Sequence, residues 1–300
     1  MGKAKKVHGA LCTKVNCLSQ LEMDNFIIHQ QARQYQWSGD CFLSVKSFYN
    51  GLANYNVGYK DYCINHDSFL VLNECTKYHL TIDTANETES FCVFFSPEFV
   101  SGVVSEHFSS DIQLLDFNPN TKQKGIHFLE RKYKHEGLVS SWLLEGKKRL
   151  SNSKSTLEHD EFYHQLLNAL IAQNGTALKE AEKLSLKKKS TRVEIYQRIY
   201  CARDFIDNNY RANLALSDIA RVAALSENHL LRCFKQVFGL SPFKYLSKLR
   251  IQEACRQIGQ TDKPISEIAK EVGYSSMSNF SHYFKSVTGK APSCYKLGDI

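Results

Sequence analysis

The sequence predicts a two-part chain. An N-terminal all-β barrel or sandwich with a helical extension precedes a C-terminal all-α domain, in which two helix-turn-helix motifs are joined by a long helix. Three observations carry this. One pattern occurs twice, over residues 216–245 and 265–295. Short β-rich runs separated by turn residues fill residues 25–117. Charge is unevenly divided: residues 191–300 hold 16 Lys+Arg against 10 Asp+Glu, whereas residues 1–190 hold 22 against 21.

A repeat fixes architecture, so the duplication comes first. The first copy starts Leu216-Ser217-Asp218-Ile219-Ala220 and the second Ile265-Ser266-Glu267-Ile268-Ala269. The offset is 49 residues at Ser217/Ser266 and 50 at Phe234/Phe284, so the second turn is one residue longer. Each copy reads as a short helix capped at Ser217 or Ser266, a turn, and a second helix. That second helix is capped at Ser226 in the first copy and at Ser275 or Ser276 in the other. Gly239 and Gly289 stand where a helix end favours positive φ. Leu230, Phe234 and Val237 share a face, and Phe280, Phe284 and Val287 repeat it. That face is expected inside, leaving the opposite one for a major groove, which is wide enough to admit a helix. Ser241-Pro242 opens the connecting helix, which runs to about Ile258. Its length of about 27 Å can hold two reading units roughly one DNA turn apart.

The N-terminal half follows a different period. Residues 1–24 read as an arm. Within 25–117, residues 41–45, 68–72, 78–82 and 91–95 read as strands. Asn50-Gly51, Asn65-His66-Asp67 and Asn86-Glu87 lie between them. Tyr35, Trp37, Phe48, Tyr62 and Tyr78 either fill the core or line a small-molecule effector pocket. Pro97 starts a helix that Ser101-Gly102 break. Residues 118–185 form a helical linker and candidate dimerisation region, with a polar loop at 119–125, an apolar stretch at 126–145 and a turn at 151–156. There Leu157, Phe162, Leu166, Leu167, Leu170 and Ile171 form a stripe that ends at Asn174-Gly175. Either the barrel or a second copy of the chain must cover it. Lys187-Lys188-Lys189 opens the last domain, 186–300. Its first helix is capped at Ser190 or Thr191, with Ile195, Ile199, Ala202, Phe205 and Ile206 facing inward.

Several functions are disfavoured. No apolar run approaches 18 residues and no cleavable leader is evident, so a cytoplasmic chain without a membrane span is expected. Ten cysteines are scattered without a Cys-x-x-Cys pair, which favours free thiols over a disulfide framework or a zinc site. His66, Glu74 and His79 are the tempting metal set, but a turn and a strand do not converge them, so neither metal nor cofactor is expected. Cys41, Cys63, Cys75 and Cys92 lack a catalytic partner set, and no phosphate loop or nucleophile elbow occurs. No catalytic residue is assigned. The rivals to a regulator are an enzyme with a DNA-binding tail and a barrel that binds only protein partners.

A net-positive helical domain favours a polyanion partner. On the first reading helix, Asn228, Leu231, Arg232 and Lys235 are expected outward. Arg232 suits guanine O6/N7, Asn228 adenine N6/N7 and Leu231 a thymine methyl, while Lys235 suits phosphate. On the second, Met277, Ser278, Ser281, His282 and Lys285 face out, with Asn279 a further base reader. Ser278 and His282 occupy the places of Asn228 and Arg232 and are weaker readers. Lys285 and the capping Ser226 and Ser276 are candidate phosphate contacts. Each of these residue types also suits an ordinary solvated helix face.

The segment Glu267-Ile268-Ala269-Lys270-Glu271-Val272-Gly273-Tyr274-Ser275-Ser276, followed by Asn279-Phe280-Ser281-His282-Tyr283-Phe284-Lys285, then Thr288-Gly289-Lys290-Ala291-Pro292 and Tyr295, resembles the signature of the AraC/XylS family of bacterial transcription regulators. The resemblance covers residues 195–298. It implies a sequence-specific DNA-binding regulator, activator or repressor, with double-stranded DNA and RNA polymerase as partners. It places the main base contacts on Asn228 and Arg232. It also implies an N-terminal cupin-like barrel that binds an effector and helps form a homodimer. Many members carry arginine or glutamine where this chain has Ser278 and His282, so its second unit is expected to position more than it specifies. The two-histidine-plus-glutamate pattern of catalytic cupins is absent.

Overall fold

A computed structural model of the chain describes residues 24–58, 60–109, 126–150 and 156–295, except for the side chains of 107–109. The expected arm (Asp24 apart), the polar loop at 119–125 and the turn at 151–155 lie outside those residues. The chain divides into two units, residues 1–179 and 180–300. Among the described residues, no helix is long and apolar enough to cross a membrane.

The first unit is an antiparallel sheet curled into a nearly closed barrel. Its strands are β1 (Phe26–Gly39), β2 (Leu43–Tyr49), β3 (Leu52–Val57), β4 (Lys60–Asn65), β5 (Ser68–Leu72), β6 (Tyr78–Phe95) and β7 (Lys132–Lys134). The order β4-β3-β6-β2-β5-β7 is completed by β1, which lies along the other edge of β6. Asn86-Glu87 does not separate two strands as expected. Residues 84–87 bulge out opposite Arg33, and β6 continues past them with β1 still paired on both sides. On its opposite edge β6 pairs first with β3 (Asn56↔His79) and then with β2 (Tyr49↔Glu89).

The two-residue period sorts these strands into two cores. Leu43, Val45, Phe69, Val71, Phe91, Val93 and Phe95 face one way, towards helices. Phe48, Leu70, Leu72, Cys92 and Phe94 face the other, where they meet Tyr55, Tyr62, Ile64, Tyr78 and Leu80 from β3, β4 and β6. That second cluster draws on five strands, which requires the sheet to curl. Both faces of β2 and β5 are covered, so these strands are buried throughout.

Three helices cover the outer face: α1 (Pro97–Ser109), α2 (Gly137–Leu150) and α3 (Thr156–Ala181). Helix α1 follows β6 directly and runs through Gly102, where a break was expected; β7 later returns to the sheet beside β5. The leucine stripe is settled too. Phe162, Leu166, Leu167 and Leu170 are at most 5% exposed and pack in one cluster with Val93, Phe95, Phe128 and Leu143 of the same unit. Only Leu157, 78% exposed, is left out. The stripe is therefore not a dimer seam.

Helix α3 also passes through Asn174-Gly175, where a stop was expected, for a visible reason. Asn174 is 2% exposed. Its Oδ1 accepts from Leu129 N–H at 3.0 Å and its Nδ2 donates to His127 carbonyl at 3.2 Å. Asn73 does the same for both backbone groups of Phe128, at 2.8 and 2.9 Å. Two side-chain amides thus satisfy the buried backbone of the segment leading to β7, where peptide groups otherwise cost free energy.

The second unit holds α4 (Lys189–Asn209), α5 (Leu216–Val222), α6 (Glu227–Phe238), α7 (Pro242–Gln260), α8 (Ile265–Glu271) and α9 (Met277–Thr288). Helix α4 packs on α5, α6 and α7, and α7 packs on α8 and α9. Three expected caps are corrected. Helix α4 starts after Lys188, without a side-chain cap from Ser190 or Thr191. Helix α5 starts after Ala215 and α8 after Pro264, which puts Ser217 and Ser266 inside the first turn. At α5 the Asp218 carboxylate reaches back to accept from Ala215 N–H at 3.3 Å, which leaves no capping duty for Ser217.

Candidate nucleic-acid interface

The two helix pairs are built alike. Ser226 Oγ accepts from His229 N–H, and Ser276 Oγ accepts from Asn279 N–H, both at 3.4 Å. Each bond satisfies one of the orphan donors at a helix start. Gly239 (φ 73°) and Gly289 (φ 76°) close α6 and α9 in the left-handed region, donating to Lys235 and Lys285 carbonyls. The turns repeat as well: Leu225 N–H donates to Ala220 carbonyl at 3.0 Å, and Tyr274 N–H to Ala269 carbonyl at 2.9 Å. The left-handed position before each is Ala224 (φ 49°) in one copy and Gly273 (φ 95°) in the other. Ser275 is then the extra residue of the second turn.

Burial of one face exposes the other. Leu230, Phe234 and Val237 of α6 are buried, as are Phe280 and Phe284 of α9. Val287 is not: at 45% exposed it leaves the expected buried face. On α6, Asn228, Arg232 and Lys235 are exposed and Leu231 half-buried. On α9, Ser278, Asn279, His282 and Lys285 are exposed and Ser281 half-buried. Ser226 is exposed and Ser276 half-buried. Each helix therefore presents a polar and basic stripe away from its core.

Two neighbours of the first stripe carried no sequence signal. Arg198 of α4 donates to Ala224 carbonyl at 2.6 Å and to Glu194 at 2.7 Å, tying the turn before α6 to α4. Burial, and then the cations Arg232 and Arg198, hold His229 below its ordinary pKa. At neutral pH the charge on this stripe therefore comes from Arg232 and Lys235, while His229 stays neutral. A second-unit counterpart of the exposed Arg232 is His282, whose ring meets that of Tyr283 edge-on at 5.9 Å.

The five aromatics expected at an effector pocket separate. Phe48, Tyr62 and Tyr78 are buried in the inner core, and Trp37 is half-buried against Tyr78, centroids 4.6 Å apart. Tyr35 is 40% exposed and does not join that cluster, although it lies two residues from Trp37 on β1 and so on the same face of the strand. Among them sits an unforeseen residue, Lys46, 2% exposed. Its Nζ donates to Tyr78 Oη at 3.2 Å and lies 3.6 Å from the Phe94 ring centroid. Burial pushes its pKa down. His66 pairs with Asp67 at 3.1 Å and His79 with Ser38 at 2.5 Å. Among the described residues, no group of three or more His, Cys, Asp or Glu side chains is placed to hold a metal ion.

Comparison with known proteins places this geometry. A family described as a helix-turn-helix domain matches residues 219–297. The HTH-type transcriptional activator AarP of Providencia stuartii is 32% identical over 95 residues, which is 32% of this chain and 70% of that protein. The raffinose operon transcriptional regulatory protein RafR of Pediococcus pentosaceus is 30% identical over 116 residues, 39% of this chain and 40% of that one. An AraC-type DNA-binding-domain protein of known structure from Chromobacterium violaceum is 31% identical. It covers 32% of this chain and 86% of its own, with a TM-score of 0.31. The chain belongs to the AraC family of helix-turn-helix transcriptional regulators. The matched segment is 40% of RafR and 38% of the probable regulator LumQ of Photobacterium leiognathi, so the likeness spans about two fifths of those relatives.

Proposed function

We propose that the chain is a sequence-specific DNA-binding transcriptional regulator in which α6 and α9 read two successive stretches of major groove from one face. One observation carries the reading: the same capped helix pair is built twice, and each copy turns a polar stripe outward over a buried aromatic. On α6, Arg232 pairs with guanine, Asn228 with adenine and Leu231 with a thymine methyl, while Lys235 meets phosphate. On α9, Ser278, Asn279, Ser281 and His282 are the base-facing set and Lys285 meets phosphate. The cap hydroxyls of Ser226 and Ser276 accept from the helix and keep their own O–H to donate to phosphate oxygens. At 19 residues, α7 is about 28 Å long, which suits groove segments about one turn apart.

The inner barrel core is the proposed effector site. Tyr78 and Phe94 flank the buried amine of Lys46 in the cluster that also holds Trp37, Phe48 and Tyr62, a polar group in an apolar setting of the kind that orients a small molecule. A cupin-like barrel, a homodimer, RNA polymerase contact, transcriptional activation and a cytoplasmic location complete the reading, which includes no catalytic step. With the α3 stripe occupied, a dimer interface falls elsewhere on the chain.

Selection of duplexes from a random-sequence library by the full-length chain tests this. A consensus with two half-sites is expected. Binding to it should weaken steeply with added salt, because each neutralised phosphate releases counterions. Enrichment of no sequence over the starting library would reject sequence-specific binding.

A further inference from the structure

Arg250, from the middle of α7, touches both the approach to the first helix pair and the turn of the second. Its Nε donates to the Tyr210 carbonyl and its Nη2 to the Ala212 carbonyl, each at 2.7 Å. Those carbonyls belong to the end of α4 and the loop that leads into the first pair, α5 and α6. Its guanidinium carbon also lies 5.5 Å from the ring centroid of Tyr274, in the turn between α8 and α9 of the second pair. Gly273 permits that approach. A Cβ there would stand 2.9 Å from Arg250 Cζ and 2.8 Å from the Arg211 carbonyl, closer than real Cβ atoms come, and its φ of +95° already disfavours a side chain. The backbone of the second turn therefore sits directly against the first pair's loop, with the guanidinium between them.

The forked, planar guanidinium is what makes this possible. It reaches two carbonyls with fixed geometry and still offers a face to an aromatic ring. A lysine has one ammonium and no fork. We infer that Arg250 is a positioning residue that locks the two reading helices at one spacing, so that the protein rejects operators whose half-sites are shifted by a base pair. This rests on the DNA-binding reading above. One extra base pair rotates the second groove by roughly 34–36° and moves it by about 3.4 Å relative to the first. A clamped pair of helices cannot follow that displacement, whereas an unclamped pair can.

The test uses full-length wild type, R250K and R250A. The probes are the duplex that wild type selects from a random library and two derivatives with one base pair inserted or removed between the half-sites. Melting curves confirm folding. Wild type should weaken at least about tenfold on the shifted duplexes, the scale of a mismatched base pair. R250K, with its charge unchanged, should lose most of that preference, and R250A all of it. Wild type indifferent to spacing would overturn the inference. So would variants that weaken equally on all probes, because a merely structural role keeps the ratio. A drop of about one in the salt slope of R250A would instead make Arg250 a phosphate contact, and would overturn it too. If R250A melts below the assay temperature, R250K alone decides. A wild type that selects no duplex sinks the DNA-binding reading and this inference with it. A wild type that binds while the variants keep its spacing ratio sinks this inference alone.

Discussion

Replacing Phe284 by alanine tests the packing that exposes the α9 stripe. Phe284 is fully buried, in a cluster with Ile251, Ala254 and Cys255 of α7, Ile268 and Ala269 of α8, Phe280 and Tyr295. Its ring centroid lies 5.5 Å from that of Phe280 and 5.3 Å, edge-on, from that of Tyr295. Truncation removes a buried ring and leaves a cavity walled by three helices, which cannot collapse without shifting α7. The expected loss is about 3–5 kcal/mol. A unit of this size holds roughly 6–18 kcal/mol in all, so the melting midpoint should fall by about 10–25 °C. The assay is thermal denaturation of residues 176–300 followed by circular dichroism. That fragment keeps Glu180, whose carboxylate accepts from Tyr196 and Tyr200 hydroxyls. A variant melting within about 3 °C of wild type, less than 1 kcal/mol on that scale, would refute the packing argument and the outward stripe that depends on it.

The other predictions follow from single contacts. Arg232→Ala should cost about 1–3 kcal/mol on the selected duplex and blur preference at one or two positions, read by binding isotherms on single-base variants of that duplex; unchanged affinity and preference would remove Arg232 from base reading. Burial pushes the Glu89 carboxyl up, but bonds from Lys147 and His29 outweigh it and hold it below the ordinary carboxylate value. A depressed folded-state pKa gives stability that is present above the unfolded value and lost as pH falls through the folded one. The first unit of wild type should therefore melt above that of Glu89→Gln at neutral pH, with the gap closing below about pH 4.3; a gap that does not change with pH would contradict the assignment. Leu166→Glu with Leu170→Glu places two carboxylates in a dry core, so the first unit should fail to fold and not merely change oligomeric state. Sedimentation showing a well-folded chain would contradict the burial of that stripe.

What was legible in the sequence depended on how local its cause was. Ser226, Ser276, Gly239 and Gly289 act on the backbone within three or four residues, and a single residue type reveals each. Leu230 with Phe234, and Phe280 with Phe284, follow the helix period. The causes that were missed are long-range. Asn174-Gly175 reads as a helix stop until the Asn174 amide is seen bonded to residues 127 and 129. The three-residue β7 has no pattern of its own and exists because β5 offers it an edge. Lys46, just past the expected strand at 41–45, carried no sequence signal, yet it is buried because both faces of β2 are covered. The leucine stripe on α3 announced that something covers it, but only the fold shows that the covering is the barrel of the same unit. In the candidate interface, exposure could be read from the helical period. The links made by Arg198 and Arg250 to backbone carbonyls 26 to 40 residues away could not.

In the proposed function, one chain reads two adjacent major-groove segments from one face of the duplex. Methylation interference by the full-length protein on its selected duplex measures this directly. Two clusters of interfering guanines, whose N7 lies in the major groove, are predicted about one helical turn apart on the same face, the stronger opposite α6. The stronger cluster should lose its guanine signal in Arg232→Ala while the weaker one persists. A single cluster, or two on opposite faces of the duplex, would contradict the claim.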